Sequence, residues 1–310
     1  MHDLNHGVRI CTTLALPGDF RVDDVLRFYR RDGQQLAERV NERAVYKALL
    51  YRGVPSCLVI DFSALPAARI SLHSDAPVEL TEAALGDWAA RLLGLTQPIE
   101  SFSRCYAEHP LLGELLQANP GLRIPQAILP FEAACWAVIG QMISVEAATS
   151  IRRRLIQTFG VTHSSGLLCH PDAAILAGLD EAQLRPCGLS RSKVAALQLL
   201  AKETLAGQLP LEQTATLDTA AAQRLPADLL ALRGIGPWTA SYILLRGFGL
   251  LDGSLHGDVV VRKRLQRLLA LEAAPDQRET AAWLATFSPY RALVAAHLWA
   301  MPSGEKIKVY

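Results

Sequence analysis

Residues Leu230-Ala231-Leu232-Arg233-Gly234-Ile235-Gly236-Pro237-Trp238-Thr239-Ala240 decide how the rest of the chain is understood. Two glycines flank one aliphatic residue, which suits a tight reversal. Pro237, with fixed φ and no N–H, suits the first position of a new helix. The pattern is helix, short hairpin, helix. The free N–H groups of Gly234, Gly236 and Thr239 would then lie at a helix N-terminus, where a nucleic-acid phosphate can be held without any base contact. An ordinary turn between two helices carries the same glycines, so the hairpin alone does not name a function.

Eighteen residues after Pro237 begins a second element, Leu255-His256-Gly257-Asp258-Val259-Val260-Val261-Arg262-Lys263-Arg264-Leu265, with Asp258 where a helix starts. Asp at such a position is ordinarily a cap. Other helices announce themselves in the same way. Ser144 caps one whose Ile151, Leu155 and Phe159 share a face and whose end is marked by Gly160. Ser190 caps another that stops near Gly207, and Asp276 with Glu279 has capping-box spacing for a helix begun near Gln277. No strand is expected beyond residue 105. Upstream, residues 41 to about 75 read as short strands (AVYKALLY, CLVIDF, RISLHS), broken at Gly53, Pro55 and the Ala64-Leu65-Pro66 turn. DDVLRFYRRD before them and LTEAALGDWAARLLGL after them have helical spacing. The expected fold is mostly α with an N-terminal α+β domain over residues 1–105.

Length and composition bound the function classes. At 310 residues the chain predicts two or three domains. Half the residues are hydrophobic, yet no run of about 18 uncharged apolar residues occurs, so no membrane span is expected and the apolar surface must enter a core. The opening MHDLNHGVRI lacks the features of a signal peptide, and a cytoplasmic protein is expected. Cys11, Cys57, Cys105, Cys135, Cys169 and Cys187 form no CxxC. Reduced, mainly core thiols are expected, not a zinc site, an iron–sulfur cluster or a disulfide framework. Residues 1–110 hold 12 basic against 14 acidic side chains and the remainder 19 against 16, so the weak basic excess belongs to the C-terminal part. A polyanion partner is permitted, not demanded.

Together the hairpin and the Asp258 segment, at this spacing, resemble the helix-hairpin-helix DNA glycosylase superfamily, whose hairpin L-x-G-I-G-x-W-T-A is followed by a loop and one Asp. The resemblance extends to Asn119-Pro-Gly-Leu-Arg-Ile-Pro125, Ala137-Val-Ile-Gly-Gln-Met-Ile-Ser-Val145, Ser288-Pro-Tyr-Arg291 and His297-Leu-Trp299, which are similar to segments of the bacterial 3-methyladenine type II enzymes. It is dense over 119–300 and looser over 20–105. It implies a cleft between two helical subdomains, 106–130 with 251–310 and 131–250, the former carrying the Asp and the latter ending in the hairpin. It also implies double-stranded DNA with damaged bases as partner, no resident cofactor, and a monomer. A monovalent cation held by the carbonyls of Leu230, Leu232 and Ile235 when DNA is bound is implied as well.

Cleaving an N-glycosidic bond passes through an oxocarbenium-like transition state, and conventional glycosidases use two carboxylates for it. Near Asp258 in sequence only Asp252 presents a second. One carboxylate suffices when the leaving base is already activated, as an N3- or N7-alkylated purine is by its positive charge. By the resemblance, Asp258 is the catalytic carboxylate, and a helix N-terminus at Val259 favours its ionised form. Bifunctional relatives place a Schiff-base lysine on the hairpin's second helix; that position is Trp238 here, so a monofunctional hydrolase is expected. Chemistry on a base requires flipping it from the duplex. Trp238 and Tyr242 share a helical face and, with Tyr290 by resemblance, would hold a cationic base; Phe28 would border the pocket. Core packing is the plain alternative for such a pair. Val259 follows the Asp where close relatives often have an aromatic residue, which opens the pocket. Met142 matches the wedge that fills the vacated stack, although alone it would read as core. His256 and His297 read as structural, and Arg152, Arg153 and Arg154 either as a solvated face or as phosphate contacts. The competing readings are a non-catalytic helix-hairpin-helix DNA-binding protein and a glycosylase for oxidised or deaminated bases.

Overall fold

In the N-terminal part, five strands, β1 (Val8–Ala15), β2 (Glu38–Val40), β3 (Ala44–Tyr51), β4 (Val54–Asp61) and β5 (Ala67–Ser74), form one antiparallel sheet in the order β1-β5-β4-β3-β2. The computed structural model describes residues 8–302; residues 1–7, which fall in the opening read for a signal peptide, lie outside them. The three expected strands are β3, β4 and β5. β1 and β2 are additional: β1 is a mostly exposed edge paired with β5 from Val8↔Ser74 to Ala15↔Ala67, and β2 has only three residues. Helices α1 (Val22–Tyr29) and α2 (Glu82–Leu92) lie where their spacing places them, and Leu26 and Trp88 share a core with Leu49, Leu58, Ile60 and Leu72 of the sheet.

The opposite sheet face explains why β3 is apolar along nearly its whole length. Ala48, Leu50, Cys57 and Val59 pack against Leu167 and Cys169, which come from the helical part. These two residues belong to a small hairpin, β6 (Val161–Thr162) with β7 (Leu168–Cys169), a correction to the expectation of no strand beyond 105. Two residues per strand cannot display a readable alternation.

The helical part comprises α3 (Ile99–Tyr106), α4 (Leu112–Ala118), α5 (Pro130–Ile139), α6 (Val145–Phe159), α7 (Ala173–Gly178), α8 (Glu181–Leu184), α9 (Arg191–Leu205), α10 (Thr219–Leu230), α11 (Pro237–Phe248), α12 (Val259–Leu268), α13 (Gln277–Ala285) and α14 (Arg291–Ala300). The caps read from sequence are formed: Ser144 accepts from the Ala147 N–H, Ser190 from Lys193, and Asp276 with Glu279 closes a capping box. One cluster from Ile99 to Leu298 fills this part, with Ile99 and Phe102 of α3 inside it, whereas Ile128 and Leu129 join the sheet core. α11 runs close along α5, because Gly247 lets the backbone approach Pro130: a Cβ there would lie 3.1 Å from the Pro130 Cβ.

Charge joins the two parts. Lys47 Nζ lies 3.2 Å from Glu38 and 2.9 Å from Glu132, and the Arg152 guanidinium donates to both carboxylates. Arg153 pairs with Asp32 at 2.7 Å, and Arg154 Nε donates to the Cys187 carbonyl. The arginine run therefore divides: Arg152 and Arg153 form ion pairs to the N-terminal part, whereas Arg154 makes a loop contact and remains exposed.

Candidate active site and nucleic-acid interface

The hairpin is built as its sequence suggests, with one redistribution of roles. α10 ends at Leu230 and α11 begins at Pro237 with Gly236 as its N-cap. Gly234 has φ +92°, and a Cβ on it would meet the Ala196 Cβ at 3.1 Å, so this position demands glycine. Gly236 has φ −89° and ψ 176°, ordinary extended backbone facing open space; glycine there is required by nothing within the fold. Both glycines are exposed. Thr239 is buried and its hydroxyl receives the Gln141 amide at 2.9 Å. The Leu232 carbonyl accepts from the Ile235 N–H at 3.1 Å, which closes the turn between α10 and α11.

Gln141 Nε2 also donates to the Gly234 carbonyl at 2.9 Å, which ties the α5–α6 loop to the hairpin. The next residue, Met142, is 100% exposed and holds φ +58°, a conformation rare outside glycine. A large apolar side chain fully in water, on a strained backbone, is the reverse of the core role its type alone suggests. Its loop is tied to the hairpin through the neighbouring Gln141. Lys193, from α9, donates to the Ile139 carbonyl at the end of α5 at 2.8 Å, and burial pushes its ammonium down.

Asp258 caps α12, and more than caps it. Its Oδ1 accepts from the Val260 and Val261 N–H groups at 2.9 and 3.0 Å. Two indoles add to this: Trp299 Nε1 lies 3.3 Å from Oδ1 and Trp238 Nε1 lies 3.1 Å from Oδ2. Asp252, the other nearby carboxylate in sequence, forms a two-pronged pair with Arg291 at 2.8 and 3.0 Å and accepts from Ser288.

From Asp258 a line of rings and guanidiniums leads inward. Trp238 packs on Tyr242 with centroids 5.4 Å apart. Arg246, one further turn along α11, stands over Trp299 at 5.7 Å and over Phe28 at 4.8 Å. Arg31 stands over Phe28 at 4.3 Å and Trp136 at 5.5 Å. Phe28, Trp136, Tyr242, Arg31 and Arg246 all line a cavity of about 70 Å3, reaching down to Lys47 and Glu132. Burial lowers Arg246 to about 10, and its Nη1 donates to the Pro125 carbonyl. Phe28 and Tyr242 thus line one cavity. Tyr290 does not join these rings: it packs against Phe102 at 5.4 Å and stands edge-on to Tyr106 at 6.4 Å. The sequence alone assigns no role to Trp299, Gln141, Arg31 or Arg246; the HLW segment holding Trp299 and the AVIGQMISV segment holding Gln141 are the only signals for any of them.

The bystanders are accounted for. His297 is buried beside Phe102 and burial pushes its imidazole down to about 4, while His256 Nδ1 pairs with the Ser254 hydroxyl at 2.9 Å. Among the described residues no His, Cys, Asp or Glu group is arranged to hold a metal ion, and no helix is long and apolar enough to cross a membrane. All six cysteines are free.

Comparisons with known proteins agree with this layout. The chain is 32% identical over 190 residues to DNA-3-methyladenine glycosylase 2 of Escherichia coli, a match covering 61% of this chain and 63% of that protein, less than two thirds of its length. The solved 3-methyladenine DNA glycosylase of Archaeoglobus fulgidus superposes with a TM-score of 0.76 at 20% identity, over 93% of this chain and 97% of that one. An 8-oxoguanine glycosylase/lyase of Clostridium acetobutylicum superposes with 0.69 at 14% identity, over 94% and 96% of the respective chains, a likeness of fold. The family model for base excision DNA repair proteins matches residues 135–289, from the middle of α5 through the hairpin and Asp258 to Pro289, and by that match the chain belongs to the HhH-GPD superfamily.

Proposed function

We propose that the protein is a monofunctional DNA glycosylase that flips alkylated purines of the 3-methyladenine type out of duplex DNA and hydrolyses their N-glycosidic bond. The observation that carries this reading is the Asp258 carboxylate, held at the head of α12 between two indoles. A scaffold that only grips phosphates has no use for a carboxylate turned toward them. Here Asp258 stabilises the oxocarbenium-like transition state and assists the attacking water, in the manner of preorganised electrostatic catalysis. Trp238 stands where a lyase keeps its lysine, so the product is an intact abasic site. Gly234 and Gly236 bind backbone phosphate, with the Leu230, Leu232 and Ile235 carbonyls available to a monovalent cation once DNA is bound. Met142 fills the vacated stack, and Trp238, Tyr242 and Phe28 border the base pocket. The protein acts as a monomer on nucleoid DNA in the cytoplasm.

The test is incubation with duplexes carrying one defined lesion each, followed by alkali. Release of 3-methyladenine or 7-methylguanine with strand breaks only after alkali is the expected result. Breaks without alkali, or a borohydride-trapped covalent complex, would overturn the monofunctional reading. A second reading, excision of oxidised or deaminated bases, is favoured by the Arg31 and Arg246 guanidiniums over Phe28, which offer donors to a carbonyl-bearing base and repel a cationic one. Hypoxanthine and 8-oxoguanine duplexes in the same panel decide between them.

A further inference from the structure

We propose that Trp238 and Trp299 are positioning residues that act through Asp258, fixing the carboxylate so that a single acceptor position on Oδ2 faces the reacting sugar. The proposal rests on the glycosylase reading above. Each oxygen of an ionised carboxylate offers about two acceptor positions. Oδ1 takes three donors, the N–H groups of Val260 and Val261 and the Trp299 indole, whereas among the described residues Oδ2 takes only the Trp238 indole. Oδ1 is fully used and Oδ2 is not.

The N-cap contacts alone would hold one oxygen and leave the carboxylate free to swing, because the terminal torsion of Asp has a broad minimum. An indole from α11 on one oxygen and an indole from α14 on the other remove that freedom. Indole suits this role because it is a neutral donor only, so it holds the carboxylate without bringing an acceptor that competes for the sugar. Each ring is also fixed by its neighbours, Trp238 by Tyr242 at 5.4 Å and Trp299 by Arg246 at 5.7 Å. All four donors are neutral, so they orient the negative charge without cancelling it. Since a charge aimed at a developing cation works by being in place beforehand, orientation sets the rate of the chemical step.

This assigns the indole N–H groups to the sugar side of the reaction rather than to the base, so their loss slows every lesion equally. Trp299→Phe and Trp238→Phe keep a ring and remove the donor. Each variant is assayed for single-turnover excision of 7-methylguanine and of hypoxanthine. Binding is measured to two uncleavable duplexes, one with a cationic pyrrolidine in place of the sugar and one with neutral tetrahydrofuran. We expect either variant to slow both excisions by the same factor, about tenfold to hundredfold for one hydrogen bond to a charged group. The preference for pyrrolidine over tetrahydrofuran shrinks by a similar factor, while tetrahydrofuran affinity and the thermal melt stay unchanged. Trp299→His, which returns a ring N–H, recovers part of the loss.

An unchanged rate, a slowing confined to one lesion, or an equal loss of affinity for both uncleavable duplexes would overturn the proposal. If Trp238→Phe fails to melt cooperatively, Trp299→Phe carries the test. Wild-type protein that excises nothing sinks the glycosylase reading instead; the pyrrolidine preference and its loss in the variants then still decide whether the indoles aim the charge.

Discussion

Two sets of charges lie at opposite ends of the line of rings that runs from Asp258 through Trp238 and Tyr242 to the cavity, a mouth at Asp258 and a floor at Glu38 and Glu132, and they are treated in opposite ways. At the mouth, Asp258 is held by two backbone N–H groups and two indoles, all neutral. At the floor, Glu38 and Glu132 face Lys47 and Arg152, so charge cancels within a few ångströms, and the side chains involved are nearly inaccessible. The floor fastens β2 and β3 to α5 and α6; its charges have no surplus to offer a ligand. The mouth orients its carboxylate through neutral donors. The contrast teaches that hydrogen-bond donors without charge are how a protein holds an ion it intends to use, and counter-ions are how it holds one it does not.

The hardest blow to this contrast is aimed at the mouth. Asp258→Asn should slow excision about a thousandfold, since one oriented charge or donor at a developing charge is worth that much. Asn remains a good N-cap, so the melting temperature should hold, and DNA binding should be intact or tighter. A variant with most of the wild-type rate would remove Asp258 from the chemistry.

At the floor the effect should be on stability. Glu38→Gln leaves two buried cations facing Glu132 alone, which costs about 3–5 kcal/mol and lowers the melting temperature by about 6–15 °C, with excision per folded molecule unchanged. Burial by itself would raise the Glu38 carboxyl, but Arg152 and Lys47 outweigh it and hold it at about 2. Its contribution is therefore present above the unfolded carboxyl's range, about pH 4.3, and is lost as pH falls through about 2. Denaturant melts from pH 6 to 2 should show wild-type stability declining over that window and the variant's declining less. Identical profiles would mean the cluster does not lock the two parts together.

A third change probes the outer surface. Gly236→Val meets no atom within 4 Å and an ordinary backbone, so it should fold normally. It blocks close approach of a phosphate, and affinity for damaged and undamaged duplex should fall alike, about tenfold. The slope of log K against log salt should become shallower by about one. Loss confined to damaged DNA would move the hairpin from anchoring to lesion recognition. The smallest effect concerns Arg31. Arg31→Ala frees one face of Phe28 and Trp136 and should raise excision of cationic over neutral lesions by roughly two- to fivefold, the worth of a partly exposed cation–π contact. Relative rates on 7-methylguanine and hypoxanthine measure it.

What the sequence disclosed and what it withheld follow from the range of the interactions. Caps, the hairpin and the central strands depend on neighbours within a few residues, and Ser144, Ser190, Asp276 and Gly234 could be read directly. Asp258 was visible as a cap for the same reason. The indole of Trp299 meets it from 41 residues away, and Arg152 finds Glu38 across 114. Such pairings exist only once the helices have packed, and no local pattern encodes them. β1 pairs over eight residues with a strand more than fifty positions later, so its register was equally out of reach. The two hairpin glycines show the converse limit: in sequence they share one tight reversal, but the positive φ sits at Gly234 and not at Gly236.

The bond from Gln141 to the hairpin has a consequence for how undamaged DNA is searched. Met142 is held in a left-handed conformation before any duplex arrives, on a loop tied through Gln141 to the Gly234 carbonyl and the Thr239 hydroxyl. Ordering a flexible loop at every encounter would cost about 1–2 kcal/mol of entropy per residue, each time. Here that cost was met once, when the chain folded. Under the proposed function, grip and wedge would therefore meet the helix as one stiff tool with a fixed separation, and a stack that yields easily would be told apart from one that resists during a single passing contact.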